Sequence, residues 1–233
     1  MAIASFHLID GGARHPASAV PRLALDRPAL HRVEGLRWWR LLGTGRDGRL
    51  ARSFDPTRRA VLAVWDAADA LDDFLAEHPL ARRWAAGPST RHTRLHLIAG
   101  HGTWGGYDVV RGLERSADGD DAGGPGQVLV VTHATVRLRR WRAFSRSSRA
   151  LERSLPDAPG LARVVGVGEL PVLRLGTVSV WESDDAARAA TERWRPHAAA
   201  VSAARRDDWF SESLFARFRF DVDPFAANDP PPG

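Results

Sequence analysis

The sequence predicts an α+β fold: two tandem ferredoxin-like βαββαβ repeats that close within one chain into a barrel. Three observations carry the prediction. The order strand, helix, strand, strand, helix, strand is read twice along the 233 residues. Two phrases occur in both halves. Ala63-Val64-Trp65-Asp66-Ala67-Ala68-Asp69-Ala70 is matched by Ser179-Val180-Trp181-Glu182-Ser183-Asp184-Asp185-Ala186, each a strand ending in Trp before an acidic helix start. Leu41-Leu42-Gly43-Thr44-Gly45 is matched by Val164-Val165-Gly166-Val167-Gly168. The tryptophans stand 116 positions apart and the glycine pairs 123, close enough for an internal duplication. Each repeat covers one sheet face with its own helices, so two bare faces remain to be buried against each other. The space between them is the expected ligand cavity.

The first repeat is placed at residues 1–110. A strand pattern runs from Ala2 to Ile9, and a Gly- and Pro-broken stretch follows from Gly11 to Pro21. A short helix is predicted over Arg22 to Val33, and an apolar, aromatic segment over Gly35 to Leu42. Arg59 to Trp65 reads as a strand. Ala67, Ala70, Leu71, Phe74 and Leu75 share one helical stripe after it. Pro79 breaks that helix, a second runs from Leu80 to Ala85, and Arg91 to Ala99 alternates as a strand. Gly100 to Gly126 is read as a loop, with residues 111–126 as a Gly- and Asp-rich linker.

The second repeat is placed at 127–222. Gln127 to Arg137, rich in Val and Thr, is the clearest strand. Arg139 to Leu155 is a helix with Trp141, Phe144, Ser148 and Leu151 on one face, stopped by Pro156 and Pro159. Strands follow at Leu161 to Val167 and Val172 to Trp181. A helix over Asp184 to Trp194 is capped by Ser183, and Pro196 opens another. From Trp209, Leu214, Ala216, Phe218 and Phe220 alternate with Phe215, Arg217 and Arg219. Residues 223–233 are expected to form a loose tail.

Composition narrows the function. Hydrophobic residues make up 44% and charged residues 26%, as in ordinary globular chains. There is no cysteine, which excludes disulfides, thiolate zinc sites, iron–sulfur clusters and Cys nucleophiles. All 33 basic side chains are arginine, yet the net charge is only +5, so the high pI reflects late-titrating guanidinium groups. Nucleic acid is not expected as a partner. No stretch approaches 18 uncharged apolar residues, and the N-terminus lacks a signal-peptide pattern, so a cytoplasmic protein without a membrane span is expected.

Few residues can carry chemistry. The nine histidines form no HExxH and no cluster with metal spacing. His92 and His96 share a strand face but stand well apart. His133 lies inside the clearest strand, facing either a cavity or the core. His197 follows Pro196 at a helix start with Val201 on the same stripe, facing either solvent or a site. Neither Gly-x-Gly pair has the third Gly and helix of a dinucleotide fingerprint, so both read as strand ends. The run of arginines from Arg137 to Arg153 reads as a solvated helix face, from which one or two could bind carboxylates. The nine tryptophans suit a core or a large flat ligand.

Several phrases resemble the spheroidene monooxygenase family of carotenoid oxygenases. They are Trp39-Arg40-Leu41-Leu42-Gly43-Thr44-Gly45, Leu62-Ala63-Val64-Trp65, Thr132-His133-Ala134-Thr135-Val136-Arg137, Val165-Gly166-Val167-Gly168-Glu169-Leu170-Pro171, Thr177-Val178-Ser179-Val180-Trp181 and Trp209-Phe210-Ser211-Glu212-Ser213-Leu214-Phe215-Ala216-Arg217-Phe218. They occur in the family's order between about residues 36 and 220. The resemblance implies a dimeric α+β barrel fold and a monooxygenase that uses haem b, takes electrons from an external donor and acts on an apolar or amphipathic small molecule. Pro196-His197 matches the family's Pro-His pair, so the resemblance makes His197 the iron ligand. Arg137, Arg174, Trp181 and Val201 are expected to contact the cofactor. A chain without cysteine cannot supply a thiolate ligand, which agrees with histidine ligation. The sequence departs from the family where it has Val164 in place of Lys, and His101 and His133 where Arg is usual. These two histidines are the expected acid–base groups, and they open a second reading: a peroxidase, or a dehydratase of N–O substrates, on the same scaffold. A non-enzymatic haem or small-molecule binder is the third. The chain is expected to act as a monomer or homodimer.

Overall fold

The computed structural model describes residues 1–11, 24–45, 54–114, 126–169, 174–192 and 194–225. Eight strands are formed: β1 Ile3–Asp10, β2 Leu36–Gly45, β3 Phe54–Trp65, β4 Arg91–Gly102, β5 Val128–Val136, β6 Leu161–Glu169, β7 Arg174–Trp181 and β8 Phe210–Phe220. They close into one barrel in the order β1-β3-β2-β6-β7-β5-β8-β4, and every neighbouring pair is antiparallel. The order is the ferredoxin-like 4-1-3-2 arrangement stated twice, with β2–β6 and β4–β8 as the seams. The helices are α1 Arg27–Leu30, α2 Ala68–Glu77, α3 Pro79–Ala85, α4 Val109–Glu114, α5 Trp141–Ser154, α6 Asp184–Glu192 and α7 Arg195–Arg206. None among the described residues is long and apolar enough to cross a membrane.

Strand alternation sends every second side chain inward. Phe6, Leu42, Leu62, Val64, Leu129, Val131, Ala216 and Phe218 meet there in one buried cluster. Among the described residues these side chains fill the space between the sheets, as an eight-stranded barrel is just wide enough to allow. One end is plugged by a segment that the sequence presents as loop. Gly-rich around Gly102, Gly105 and Gly106, it then forms α4, whose Val109, Val110 and Leu113 join the interior cluster with Trp104. A six-residue helix carries too few turns for its periodicity to stand out from sequence.

Other boundaries moved for local reasons. Of the helix expected over Arg22 to Val33, Ala24 and Leu25 are helical and, past a bend at Asp26, the turn α1 follows with Pro28 in its first positions; residues 12–23 lie outside the described residues. β3 begins at Phe54, earlier than expected, with the Asp55 carboxylate accepting from the backbone N–H of Thr57. The linker positions 115–125 and tail positions 226–233 also lie outside the described residues. The strand pairing aligns Leu41 with Gly166 and Gly43 with Gly168, two positions off the alignment that the glycine phrases suggest. Gly43 and Gly168 pair directly with each other at the β2–β6 seam.

Outside the barrel the two halves diverge. The first half is sealed: α2 and α3 lay Leu71, Phe74, Leu80, Ala81 and Trp84 onto Ile3, Leu41, Val61 and Trp65. Within this layer His7 Nδ1 and His92 Nδ1 share one hydrogen bond of 2.7 Å, and His7 Nε2 meets Ser5 Oγ at 2.7 Å. Trp65 Nε1 donates to that Ser5 oxygen (2.8 Å). Asp26, fully buried, accepts from Arg83 at 2.6 Å and Trp84 Nε1 at 3.0 Å, with Arg59 at 3.4 Å.

Burial lowers the pKa of His92 from 6.5 to about 4, and burial, then the neighbouring His92, lowers that of His7. Both rings are neutral in the fold, whereas the unfolded chain protonates them near their ordinary value. Between these limits the unfolded state binds more protons, so stability is full above pH 6.5 and falls as pH drops toward 4. Urea unfolding followed across that range should show the midpoint falling toward acid. His92→Phe, which removes one of the two titrating groups, should flatten the slope; an unchanged slope would contradict the assignment.

Candidate active site: an open slot and a polar barrel mouth

The duplication allows a position-by-position comparison of the two outer faces. In the first half one cross-strand row reads Leu41, Val61, His7, His92. Leu41, Val61 and His7 are buried, and helices lie over them. The equivalent row in the second half reads Gly166, Thr177, Thr132, Phe215, and His101 extends it on β4. Thr177, Thr132 and Phe215 are only half-buried, as is Ala134 beside them, and His101 is exposed. Leu41 and His7 have the smaller counterparts Gly166 and Thr132, Thr177 keeps the size of Val61, Phe215 stands where the first half has His92, and the row is less buried.

The helices above fit this description. α5 carries the expected apolar stripe, yet none of its residues is buried. Trp141, Phe144 and Leu151 are all half-exposed. α5 packs mainly on α7, and α7 on α5 and α6. Only α6 seals onto the sheet, through Ala187 and Ala190 against Val128, Val130 and Trp181. Arg217 of β8 anchors it at Asp184 (2.5 Å). The outer face of β8, β5, β7 and β6 beneath α5 and α7 is thus only part-covered, and this face, termed the slot, is the candidate site. Phe144 packs edge-on to Phe210 (5.9 Å) at its margin.

A second cluster sits inside the barrel mouth. Glu169, 8% exposed, accepts from Trp104 Nε1 and lies 3.3 Å from Arg40 Nε and 3.4 Å from Arg174 Nη1. Two cations and an indole donor compensate the cost of burying this carboxylate. Trp104 stacks face to face on His133 at 4.0 Å. His133 Nε2 meets Thr135 Oγ1 at 3.3 Å, and its Nδ1 is buried without a protein partner. Burial lowers its pKa to about 4; Glu212 opposes that shift, while Arg174 and Arg40 add to it. Burial also opposes ionisation of Glu212. The N–H groups of Gly106 and Gly105 and the Thr103 hydroxyl outweigh it and hold this carboxyl below its usual range.

The structure thus divides the residues singled out from sequence. His101 lies on the slot floor, its ring 5.8 Å from that of Phe215. Val201 is half-exposed on α7. His197 falls within the same helix, and its side chain lies outside the described residues. His133 and Arg174 belong to the barrel mouth, on the other face of the sheet. Arg137 follows β5 and pairs with Asp208 at 3.1 Å. Trp181 is core beneath α6, its indole N–H donating to Ser179 Oγ (3.0 Å). His92 and His96 do not converge: the first bonds His7, the second Asp221. Among the described residues no group of three potential ligands could hold a metal ion. Sequence reading did not single out Arg40, Trp104, Glu169 or Glu212. They come together only across the barrel, from positions far apart in the chain.

The chain is 27% identical over 226 residues to spheroidene monooxygenase from Rhodobacter capsulatus, covering 94% of this chain and 90% of that protein. It is 31% identical over 190 residues to spheroidene monooxygenase from Rubrivivax gelatinosus, covering 79% and 68%. Among solved structures, an aldoxime dehydratase in complex with butyraldoxime shares the fold with a TM-score of 0.56, at 11% identity, over 94% of this chain and 79% of that one. No protein-family model matches the chain. The fold is the dimeric α+β barrel completed within one chain, and the protein is an oxidoreductase of the monooxygenase class. It belongs to the spheroidene monooxygenase family.

Glu169 is the charge on which the mouth depends. Glu169→Gln keeps an acceptor for Trp104 but leaves Arg40 and Arg174 without their counter-charge. It is expected to lower the unfolding free energy by about 2 kcal/mol, the usual worth of a charge-assisted hydrogen bond. Chemical denaturation of both proteins checks this; an effect within experimental scatter would mean that solvent already screens the cluster.

Proposed function

We propose that the chain is a haem-dependent monooxygenase whose cofactor occupies the slot between α5–α7 and the second-half sheet. The observation that carries this reading is the asymmetry of the two outer rows. Large-to-small changes at packed positions cost about 2–5 kcal/mol each. The second half holds Gly166 and Thr132 where the first holds Leu41 and His7, while Thr177 matches Val61 in size but carries a hydroxyl. A chain that leaves such a face unfilled gains most from a large flat ligand that fills it.

The donor set suits haem. With no cysteine in the sequence, iron would be held by imidazole, and His197 on α7 is the residue that the family resemblance assigns. Val201, one turn further along, would lie against the ring. Phe144 and Leu151 of α5 and Thr132, Ala134 and Phe215 of the sheet supply a largely apolar enclosure. Arg137, already at the edge of this face, would meet a propionate in exchange for Asp208. Haem bound here supplies the means to activate dioxygen with electrons from an external donor. The protein's part is to orient an apolar or amphipathic substrate along the aromatic margin, to exclude water and to move protons. His101 is the imidazole that shares the slot's row and is the proposed proton-handling group. His133, neutral and on the inner face, supports β5 from behind through its stack on Trp104.

Protein produced with ample haem should show a Soret band that shifts or disappears in His197→Ala. Thr132→Leu/Thr177→Leu, which adds apolar bulk to the floor, should stabilise the haem-free chain and weaken haem uptake by at least about tenfold. A Soret band unaffected by both variants would exclude the slot. Product formed under labelled dioxygen without incorporated label would exclude oxygenation.

A further inference from the structure

The arginine run from Arg137 to Arg153 takes a definite shape on α5. Arg142, Arg146, Arg149 and Arg153 follow the spacing i, i+4, i+7, i+11, which places them within an arc of about 60° along roughly 16 Å of helix. All four are exposed, and none of them forms an ion pair among the described residues. Arg137 and Arg139, just before the helix, share Asp208 instead. Phe144 and Leu151 lie on the opposite side of the helix, where Phe144 meets Phe210 of β8. The arginines therefore stand on the back of the helix that covers the slot.

The stripe is more than the background of a chain without lysine. Residues 137–153 hold seven arginines and one carboxylate, Glu152, so this segment carries +6 where the whole chain carries +5. Glu152 is half-buried and stands off the stripe. Like charges three and four residues apart destabilise a helix, and arginine in a first turn opposes the helix dipole. α5 has Arg142 in its first turn and no acid there, whereas α2 has Asp69 and α6 has Asp184 and Asp185 in theirs. The chain follows the dipole rule on those helices and departs from it on α5. An anionic partner laid along the stripe offsets both penalties. Leu138, 75% exposed, stands one turn before Arg142 and adds an apolar contact beside the charges.

We propose that the arginine face of α5 is the docking surface for an acidic electron-transfer protein. The proposal rests on the haem reading above, which requires electrons from outside the chain. A donor docked on the back of α5 is separated from the slot by about one helix diameter, 10–12 Å. Guanidinium groups donate in pairs to carboxylates, and exposed charges speed encounter while allowing release. A partner that must come and go needs that combination. A membrane suits the surface less well. A helix lying in a bilayer surface inserts its apolar face, and that of α5 is turned toward α7 and Phe210.

Titration of the full-length protein, haem-free and haem-loaded, with a plant-type ferredoxin as the acidic probe tests this. Saturable binding is expected at low ionic strength, weakened at least about tenfold at physiological ionic strength. Arg142→Glu/Arg146→Glu/Arg149→Glu should weaken it at least about tenfold in either medium. The same variant should slow haem reduction by ferredoxin, and leave the Soret band and reduction by dithionite unchanged. Arg32→Glu/Arg82→Glu/Arg111→Glu reverses as much charge at exposed sites away from α5, and should bind within about twofold of the parent. Absence of saturable binding, full affinity in the stripe variant, or an equal loss in the control variant would each overturn the proposal. So would tighter, stripe-dependent binding to phosphatidylglycerol vesicles, which would assign the face to a lipid surface. The absorption spectrum reads the haem assignment separately: a chain without a Soret band that still binds ferredoxin through the stripe would overturn the haem reading and leave the docking surface standing.

Discussion

Closure of the barrel is the constraint from which the rest follows. Two four-stranded sheets share one interior, and the inward side chains of all eight strands fill it. Neither seam is dispensable. β4 and β8 pair from Leu95–Phe220 to Gly102–Leu214, and β2 meets β6 through Gly43–Gly168 and Thr44–Val167. Gly43 is small for a reason, since a Cβ there would stand 2.8 Å from the Phe54 ring. Once the interior is occupied, a ligand can be received only at the mouth or on an outer face. The mouth is taken up by Glu169, Arg40, Trp104 and His133, and the first outer face is sealed by α2 and α3. Among the described residues, the second outer face is left part-covered.

That division shows how two repeats with one register come to present different outer faces. Both repeats inherit the same register, so corresponding positions face the same way and differ only in the side chain they present. Trp65 and Trp181 show the shared framework. Each ends the third strand of its repeat and bonds a buried serine, Ser5 in one case and Ser179 in the other. Four residues back along the strand the repeats part. Val61 is packed under helices, whereas its counterpart Thr177 is half-exposed and shares a 2.8 Å hydroxyl contact with Thr132. Because the hydroxyls of Thr132 and Thr177 bond each other, the floor tolerates being uncovered.

The sequence made the architecture legible because its signals are local. Trp65 and Trp181 before acidic helix starts, and Val–Thr alternation in β5, each lie within about ten residues. The resemblance phrases pointed to the family for the same reason, since they are contiguous. What stayed hidden depends on contacts across the barrel. Whether His133 faces cavity or core depends on Trp104, which arrives from a Gly-rich segment with no periodic signal. Glu169 and Glu212 stand inside the quoted phrases, yet nothing local marks one as the partner of two arginines and the other as the acceptor of two backbone N–H groups. The glycine phrases even suggested an alignment two positions from the paired one. A shift of two keeps every residue on its original face, so the pattern alone could not reveal it.

β5 is where the two polar systems of the protein meet, and strand alternation keeps them apart. His133 points inward and Thr132 outward, so the stacked imidazole and the slot floor are separated by the backbone they share. The Gly176 backbone packs against that pair so closely that a Cβ would fall 2.0 Å from the Thr132 carbonyl oxygen. A residue larger than glycine there would spread β5 from β7 and disturb both surfaces at once. The ion cluster at the mouth thus acts on the slot mechanically, by fixing the strand beneath it. Its charges are compensated where they stand, so the outer face is left as an apolar floor whose only neighbouring ionisable ring in the row is His101.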